Sequence, residues 1–99
     1  MMTPYTLNDL KALIGPIARK HGIKRVSVFG SYGRNQAGAQ SDVDLHIEKG
    51  IEKTLLELIA FQQEVEEALC LPVDIVTSDI RDKAFLAHIK ADEVPLYEQ

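Results

Sequence analysis

Apolar residues follow two different periods along this chain, and each period predicts a different kind of element. They recur at helical spacing from Leu10 to Ile17 and again between Glu52 and Leu69, where Leu55 belongs to the stripe expected in the core. Thr6, with Asp9 three residues later, has the pattern of a capping box, so it predicts the start of the first helix. In residues 42–48 (DVDLHIE) the period is two, which is typical of a half-buried strand with His46 on its polar side.

Short β-branched and aromatic runs predict three more strands. They are residues 25–29 (RVSVF), residues 72–77 (PVDIVT) and residues 94–97 (VPLY). Pro95 confines the last strand to a sheet edge, because proline cannot donate a ladder hydrogen bond. Between the last two strands we expect a helix that begins at Ser78 or Asp79 and continues to about Lys90.

The order of these elements predicts one domain over residues 1–99, of the α+β or α/β class. We expect a small mixed β-sheet covered by helices. Gly15-Pro16 predicts a kink or a restart in the first helix, because proline inside a helix lacks a donor and clashes with the preceding turn. Gly22 is the expected end of that helix.

The charge and the apolar runs of the chain exclude several classes of protein. Eleven basic and 15 acidic residues give a net charge of −4, the wrong sign for a protein whose main partner is a nucleic-acid backbone. Apolar runs are too short to span a bilayer and the amino terminus lacks a secretory signal, so we expect no membrane partner and a cytoplasmic location. Cys70 is the only cysteine and is expected to be a buried thiol.

Three aspartates on predicted strands indicate a metal site. Asp42 and Asp44 are two residues apart in a strand, so their carboxylates project from one face and repel each other. A divalent cation between them would relieve the repulsion, and oxygen ligands favour magnesium or manganese. Asp74 interrupts an otherwise apolar strand, where an unpaired carboxylate is expensive to bury. Three such acids have the capacity to hold two metal ions.

A glycine-serine pair precedes these acids and indicates a phosphate site. Gly30 and Ser31 lie where the first strand ends and a short helical turn begins, so the backbone is able to approach a ligand closely. Arg34, one turn later, has the charge to pair with the same phosphates. Together, the groups describe a site for a metal-bound nucleoside triphosphate and for metal-assisted phosphoryl or nucleotidyl transfer.

The spacing Gly-Ser, ten residues, Asp-x-Asp, with a further Asp on a later strand, resembles the minimal nucleotidyltransferases (MNT) of the DNA polymerase β-like superfamily. These small proteins often have HEPN-domain partners. The resemblance covers nearly the whole chain, from the helix before RVSVFGS to VPLYE. It implies the polymerase β-like fold, assigns Gly30 and Ser31 to the triphosphate, and assigns Asp42, Asp44 and Asp74 to metal binding and catalysis.

The resemblance also implies a function. Several members are antitoxins that transfer AMP from ATP to a tyrosine of a HEPN-type ribonuclease toxin. This chain departs from many members at Gly33, Arg34 and Asn35, where they have Ala-Arg-Gly. Gly33 is expected to cost ~1 kcal/mol of helix stability relative to alanine.

We therefore expect a magnesium-dependent nucleotidyltransferase that uses ATP, with two ions and with Asp74 taking the proton of the acceptor hydroxyl. The chain is expected to be a catalytic core in complex with its acceptor, a partner protein that completes the cleft. The alternative is a non-catalytic module that neutralises its partner by occlusion. Transfer to a small molecule such as an aminoglycoside is disfavoured, because the fold would lack the wall that such substrates need.

Overall fold

Four helices and four strands make up the part of the chain that the computed structural model describes, which is residues 5–34, 36–38, 41–48, 54–78 and 82–99. Their order is the predicted one. The elements are α1 (Leu7–Lys20), β1 (Arg25–Phe29), α2 (Gly30–Gly33), β2 (Val43–Glu48), α3 (Leu55–Leu69), β3 (Val73–Thr77), α4 (Lys83–Asp92) and β4 (Val94–Glu98).

The strands form one mixed sheet in the order β3-β2-β1-β4, so the expectation of a small mixed sheet is confirmed. β1 is antiparallel to β2 and to β4, whereas β2 and β3 are parallel and joined through α3. β4, which contains Pro95, lies at one edge as predicted, and β3 lies at the other. In the parallel pair, Asp44 is directly opposite Asp74.

The apolar face of the sheet packs against α1 and α3 and forms the main core. β2 alternates as predicted, because Val43, Leu45 and Ile47 are fully buried on this face. The other main members of the core are Leu10, Ile14, Ala18, Val26, Val28, Leu58, Phe61, Val65 and Leu69. The short α2 and the longer α4 contact other parts of the sheet, at β1 and β2. Within the described residues, no helix is both long enough and apolar enough to cross a membrane.

The two long helices on the core begin at capping boxes. Thr6 accepts a hydrogen bond from the Asp9 amide, and Thr54 does the same for Glu57. The first of these was predicted from the sequence. Of the expected kink or restart at Pro16, the restart was wrong, because α1 is continuous through the proline. Pro16 and Ala12, the residue one turn earlier, are both exposed, so water is able to bond the carbonyl that the proline leaves unpaired.

Several predicted details differ from the structure. α4 begins at Lys83 with Asp82 as its N-cap, not at Ser78, which forms a turn, or at Asp79, which lies outside the described residues. Leu55 is 72% exposed, although helical spacing placed it in the core. Cys70 is exposed rather than buried, because it ends α3 in the left-handed conformation at φ 58°. Each difference depends on tertiary packing, which the local sequence does not determine.

Candidate active site

The parallel pair of strands brings Asp44 and Asp74 together. Their Cα atoms are partners in the register, and their side chains are close enough to share a hydrogen bond. Asp42, just before β2, adds a further negative charge. Burial raises the pKa of Asp44, and the charges of Asp74 and then Asp42 raise it further, while Arg34 opposes them. Asp44 therefore interacts electrostatically with both of the other predicted acids.

Gly30 packs directly against this cluster. Its φ is +68°, a conformation that residues with a Cβ rarely adopt. A Cβ atom at this position would also collide with the carboxylate of Asp44. The glycine is therefore required for two reasons, the turn from β1 into α2 and the close approach of the turn to the acid. The sequence predicted the turn but did not predict the contact.

Ser31 lies in the first turn of α2, next to Gly30. The N-cap residue, Phe29, provides no side-chain hydrogen bond to the start of this helix. The Ser31 carbonyl accepts from the Gln36 amide at 2.7 Å, but within the described residues the Ser31 hydroxyl has no hydrogen-bond partner. Uncapped amides and a free hydroxyl at this position suit an anion such as a phosphate group.

Arg34 connects the turn to α4. Its Nη1 lies 3.0 Å from Oδ2 of Asp92, and its Nε donates to Oε1 of Gln36 at 3.2 Å. The side chain remains 43% exposed and lowers the pKa of Asp44 by its positive charge. Arg34 thus lies near enough to Asp44 to affect its ionisation, and Asp92 fixes part of its guanidinium group.

Gly33 has a role that the sequence analysis missed. A Cβ at Gly33 would lie 2.5 Å from the Asp92 carbonyl oxygen and 3.1 Å from that of Val28. The glycine therefore allows α2 to pack closely on the end of α4. Glycine is a poor helix former, but a larger residue would not fit here. The neighbouring Asn35 lies outside the described residues.

A second polar group, also missed, anchors the end of α4. His46 was expected to be a polar-side residue of β2, but it is only 4% exposed. Its Nδ1 lies 2.7 Å from Oε2 of Glu93, and its Nε2 lies 2.9 Å from Oγ of Ser78. Arg25 lies 3.5 Å from the other oxygen of Glu93. The sequence carried no signal for these contacts, because the partners are far apart along the chain.

The donor set of the acidic cluster fits magnesium, which prefers carboxylate oxygens. Asp44 and Asp74 supply such oxygens on two adjacent strands, and Asp42 supplies another just before β2. Their mutual repulsion at Asp44 is what a dication would relieve. In the described part of the chain, no three acidic, histidine or cysteine side chains already surround a common centre. The residues therefore supply the kind of ligand that the ion needs. Asp44 is the acid that interacts with both of the others.

Comparisons with known proteins show the family of the chain. The family described as "Polymerase beta, Nucleotidyltransferase" matches residues 12–99 of the chain. A relative from Methanocaldococcus jannaschii, provisionally named a protein adenylyltransferase, is 46% identical over 71 residues. That alignment covers 72% of this chain and 76% of the relative.

Solved structures agree in fold. One described provisionally as a minimal nucleotidyltransferase has a TM-score of 0.78 at 29% identity, covering 92% of this chain and 96% of that one. The MNT antitoxin complex with a tri-AMPylated HEPN toxin of Shewanella oneidensis matches with a TM-score of 0.67 at 18% identity, covering 94% of this chain and 71% of that one. The chain belongs to the polymerase β nucleotidyltransferase family.

Proposed function

We propose that this chain transfers AMP from magnesium-bound ATP to a tyrosine hydroxyl of a HEPN-type ribonuclease toxin and so acts as its antitoxin. The observation that carries the proposal is the contact of Gly30 with Asp44, which is itself paired with Asp74. A phosphate-binding turn and a metal-binding acid pair thus form one site. The named activity of the 46% identical relative supports adenylyl transfer to protein.

The turn after β1 holds the triphosphate in this proposal. Gly30 lets the turn approach Asp44 closely, and the hydroxyl of Ser31 donates to a phosphate oxygen. Arg34 keeps its pairing with Asp92 and presents its remaining donors to the same anion. These groups orient the α-phosphate for attack, and orientation is a large part of catalysis in phosphoryl transfer.

Asp42, Asp44 and Asp74 hold two magnesium ions in this proposal. Bound there, the ions supply positive charge for the triphosphate and its leaving group. Asp74 is exposed on the edge strand, so an acceptor is able to reach it from solvent. It takes the proton of the tyrosine hydroxyl as the new oxygen–phosphorus bond forms. The bond from the α-phosphorus to its bridging oxygen breaks, and pyrophosphate leaves.

The partner is proposed from the structural relative that contains a HEPN toxin carrying three AMP groups. A charge of −4 agrees with an acceptor that is a protein rather than a nucleic-acid backbone. We therefore propose a cytoplasmic complex of this chain with its toxin, in which the toxin contributes the second wall of the cleft.

Calorimetric titration of ATP into the purified chain tests the nucleotide site. We expect binding with magnesium, loss of binding with EDTA, and loss in the chain carrying both Asp42→Asn and Asp44→Asn. Glu67→Gln is the matched control, because Glu67 is an exposed acid on α3 that is not one of the three acids of the site. Binding that survives the double substitution would assign the nucleotide to another surface.

Transfer itself is measured with ATP labelled at the α-phosphate and a purified HEPN ribonuclease, with the modified residue located by mass spectrometry. We expect tyrosine labelling by the wild-type chain and by Glu67→Gln, and none by Asp44→Asn or Asp74→Asn. Toxin neutralisation in cells by a folded Asp44→Asn chain would instead support occlusion, which is the alternative function.

A further inference from the structure

An apolar groove lies between α3 and the open edge of the sheet at β3. Its volume is about 270 Å³, and it is lined by Leu55, Leu58, Ile59, Gln62, Ile75 and Thr77. Clefts for drug-sized ligands are larger, about 300–1,000 Å³, so this groove suits one or two aliphatic side chains. Leu55 is 72% exposed, which makes it an unusually open apolar residue at the entrance.

The hydrogen bonds of β3, the strand beside the groove, show which of its backbone amides and carbonyls face β2 and which face outwards. The Pro72 carbonyl and the Ser78 amide both bond to β2, so even-numbered residues of this strand direct their backbone groups towards β2. Odd-numbered residues therefore direct theirs outwards, because backbone groups alternate along a strand. The outward amide and carbonyl of Val73 are occupied by Glu66 and Gln62 of α3.

The outward amide and carbonyl of Ile75 come next along this edge. Among the described residues they have no hydrogen-bond partner. An unpaired donor and acceptor on a strand edge is a template for an added extended chain. A helix would not fit this template, because its own backbone groups are already paired. The edge therefore selects an extended occupant, and the groove beside it selects an apolar side chain.

We propose that the groove and the Ile75 backbone bind an extended segment of the acceptor protein, with an aliphatic residue next to the tyrosine. The proposal rests on the proposed function for the identity of that protein. Asp74 precedes Ile75, so their side chains are on opposite faces of β3. A chain paired with Ile75 alternates in the same way. When its tyrosine points to the Asp74 face, the neighbouring residue points into the groove.

A binding experiment without ATP tests this surface independently of catalysis. The probes are a capped peptide, threonine-valine-tyrosine-valine-threonine, the same peptide with serine in place of both valines, and the valine peptide with N-methylated backbone amides. Binding is followed by NMR on the isotope-labelled chain. We expect the valine peptide to shift the amide signals of Ile75 and Leu55, and both modified peptides to bind about tenfold more weakly or worse.

Two leucines of α3 give a matched pair of variants. Leu55 lines the groove, whereas its neighbour Leu56 is 78% exposed and does not line it. Leu55→Glu is expected to weaken peptide binding about tenfold or more, because a carboxylate would have to enter an apolar groove. Leu56→Glu should remain within about twofold of the wild type, and both variants should keep the wild-type fold and ATP affinity.

The outcomes separate this inference from the proposed function. Equal binding of the valine and serine peptides, or equal loss in the two leucine variants, would overturn the docking surface even if the chain AMPylates a toxin. Selective binding that requires Leu55, in a chain that transfers no AMP, would support the surface and contradict the catalytic proposal. Shifts that avoid Ile75 would also contradict the inference.

Discussion

At the scale of single residues, Asp44 shows how the candidate site opposes stability. Its pKa is raised by burial and by the charges of Asp74 and Asp42, so ionisation costs more in the folded chain than in the unfolded one. This carboxyl favours folding while it is protonated, and that contribution is lost as the pH rises through its folded-state pKa. Above that pKa the folded chain therefore carries an unfavourable charge at the centre of the site.

We predict that Asp44→Asn raises the melting temperature at neutral pH, although the same substitution is expected to abolish transfer. The gain should shrink at acidic pH, where Asp44 of the wild type is protonated in both states. Thermal unfolding monitored by circular dichroism, without added metal, measures this difference. Glu67→Gln should change stability by less than about 0.5 kcal/mol at every pH. A lower melting temperature for Asp44→Asn at neutral pH would show that its negative charge stabilises the fold.

At the scale of elements, α2 is held against α4 through Gly33 and Arg34. Alanine is a better helix former than glycine by ~1 kcal/mol, so propensity alone favours Gly33→Ala. The structure predicts the opposite, because the added Cβ would meet the Asp92 carbonyl oxygen at 2.5 Å. We expect a loss of about 1–3 kcal/mol, typical of overpacking. A stabilised Gly33→Ala chain would show that α2 and α4 are able to move apart without cost.

Urea unfolding measures this change, with Gly38→Ala as the matched control. Among the described residues, a Cβ at Gly38 would meet only the Ser41 hydroxyl oxygen, at an ordinary contact distance of 3.8 Å. We expect the control to stay within about 0.5 kcal/mol of the wild type. ATP affinity provides a second measurement, because displacement of α2 would move Ser31. Gly33→Ala should therefore weaken ATP binding, whereas Gly38→Ala should not.

Elements set by local chemistry were predictable from the sequence. The capping box at Thr6 needs only Thr6 and Asp9, and β2 needs only its alternation, so both were found. Features set by distant contacts were not found. The start of α4 at Asp82, the burial of His46 by Glu93 and the exposure of Leu55 all depend on where other elements pack.

The candidate site also has features that the sequence predicted and features that depend on distant contacts. Motif spacing identified Gly30, Ser31 and the three aspartates, because the family pattern is carried by a single short stretch and one later strand. The pairing of Asp44 with Asp74 required the parallel register of β2 and β3, which the sequence did not specify. Asp92, which positions Arg34, lies 58 residues away from it and belongs to no motif.

At the scale of the whole molecule, nucleotide binding and folding stability should be linked through the acidic cluster. A ligand that binds only the folded chain stabilises it by about 2.7 kcal/mol at a hundredfold excess over its dissociation constant. Magnesium-bound ATP should therefore raise the melting temperature, and ATP with EDTA should raise it much less. Because metal ligands must be deprotonated, the effect depends on the ionisation of Asp44.

The direction of the pH dependence follows from the raised pKa of Asp44. Stabilisation by magnesium and ATP should be complete well above that pKa and should decline on acidification, starting at a higher pH than for an ordinary aspartate. Melting temperatures with and without magnesium and ATP, across a pH series, measure the decline. The chain with both Asp42→Asn and Asp44→Asn should show no stabilisation at any pH. An effect of constant size down to strongly acidic pH would mean that the acids do not hold the metal, since protonated carboxyls are poor ligands for magnesium.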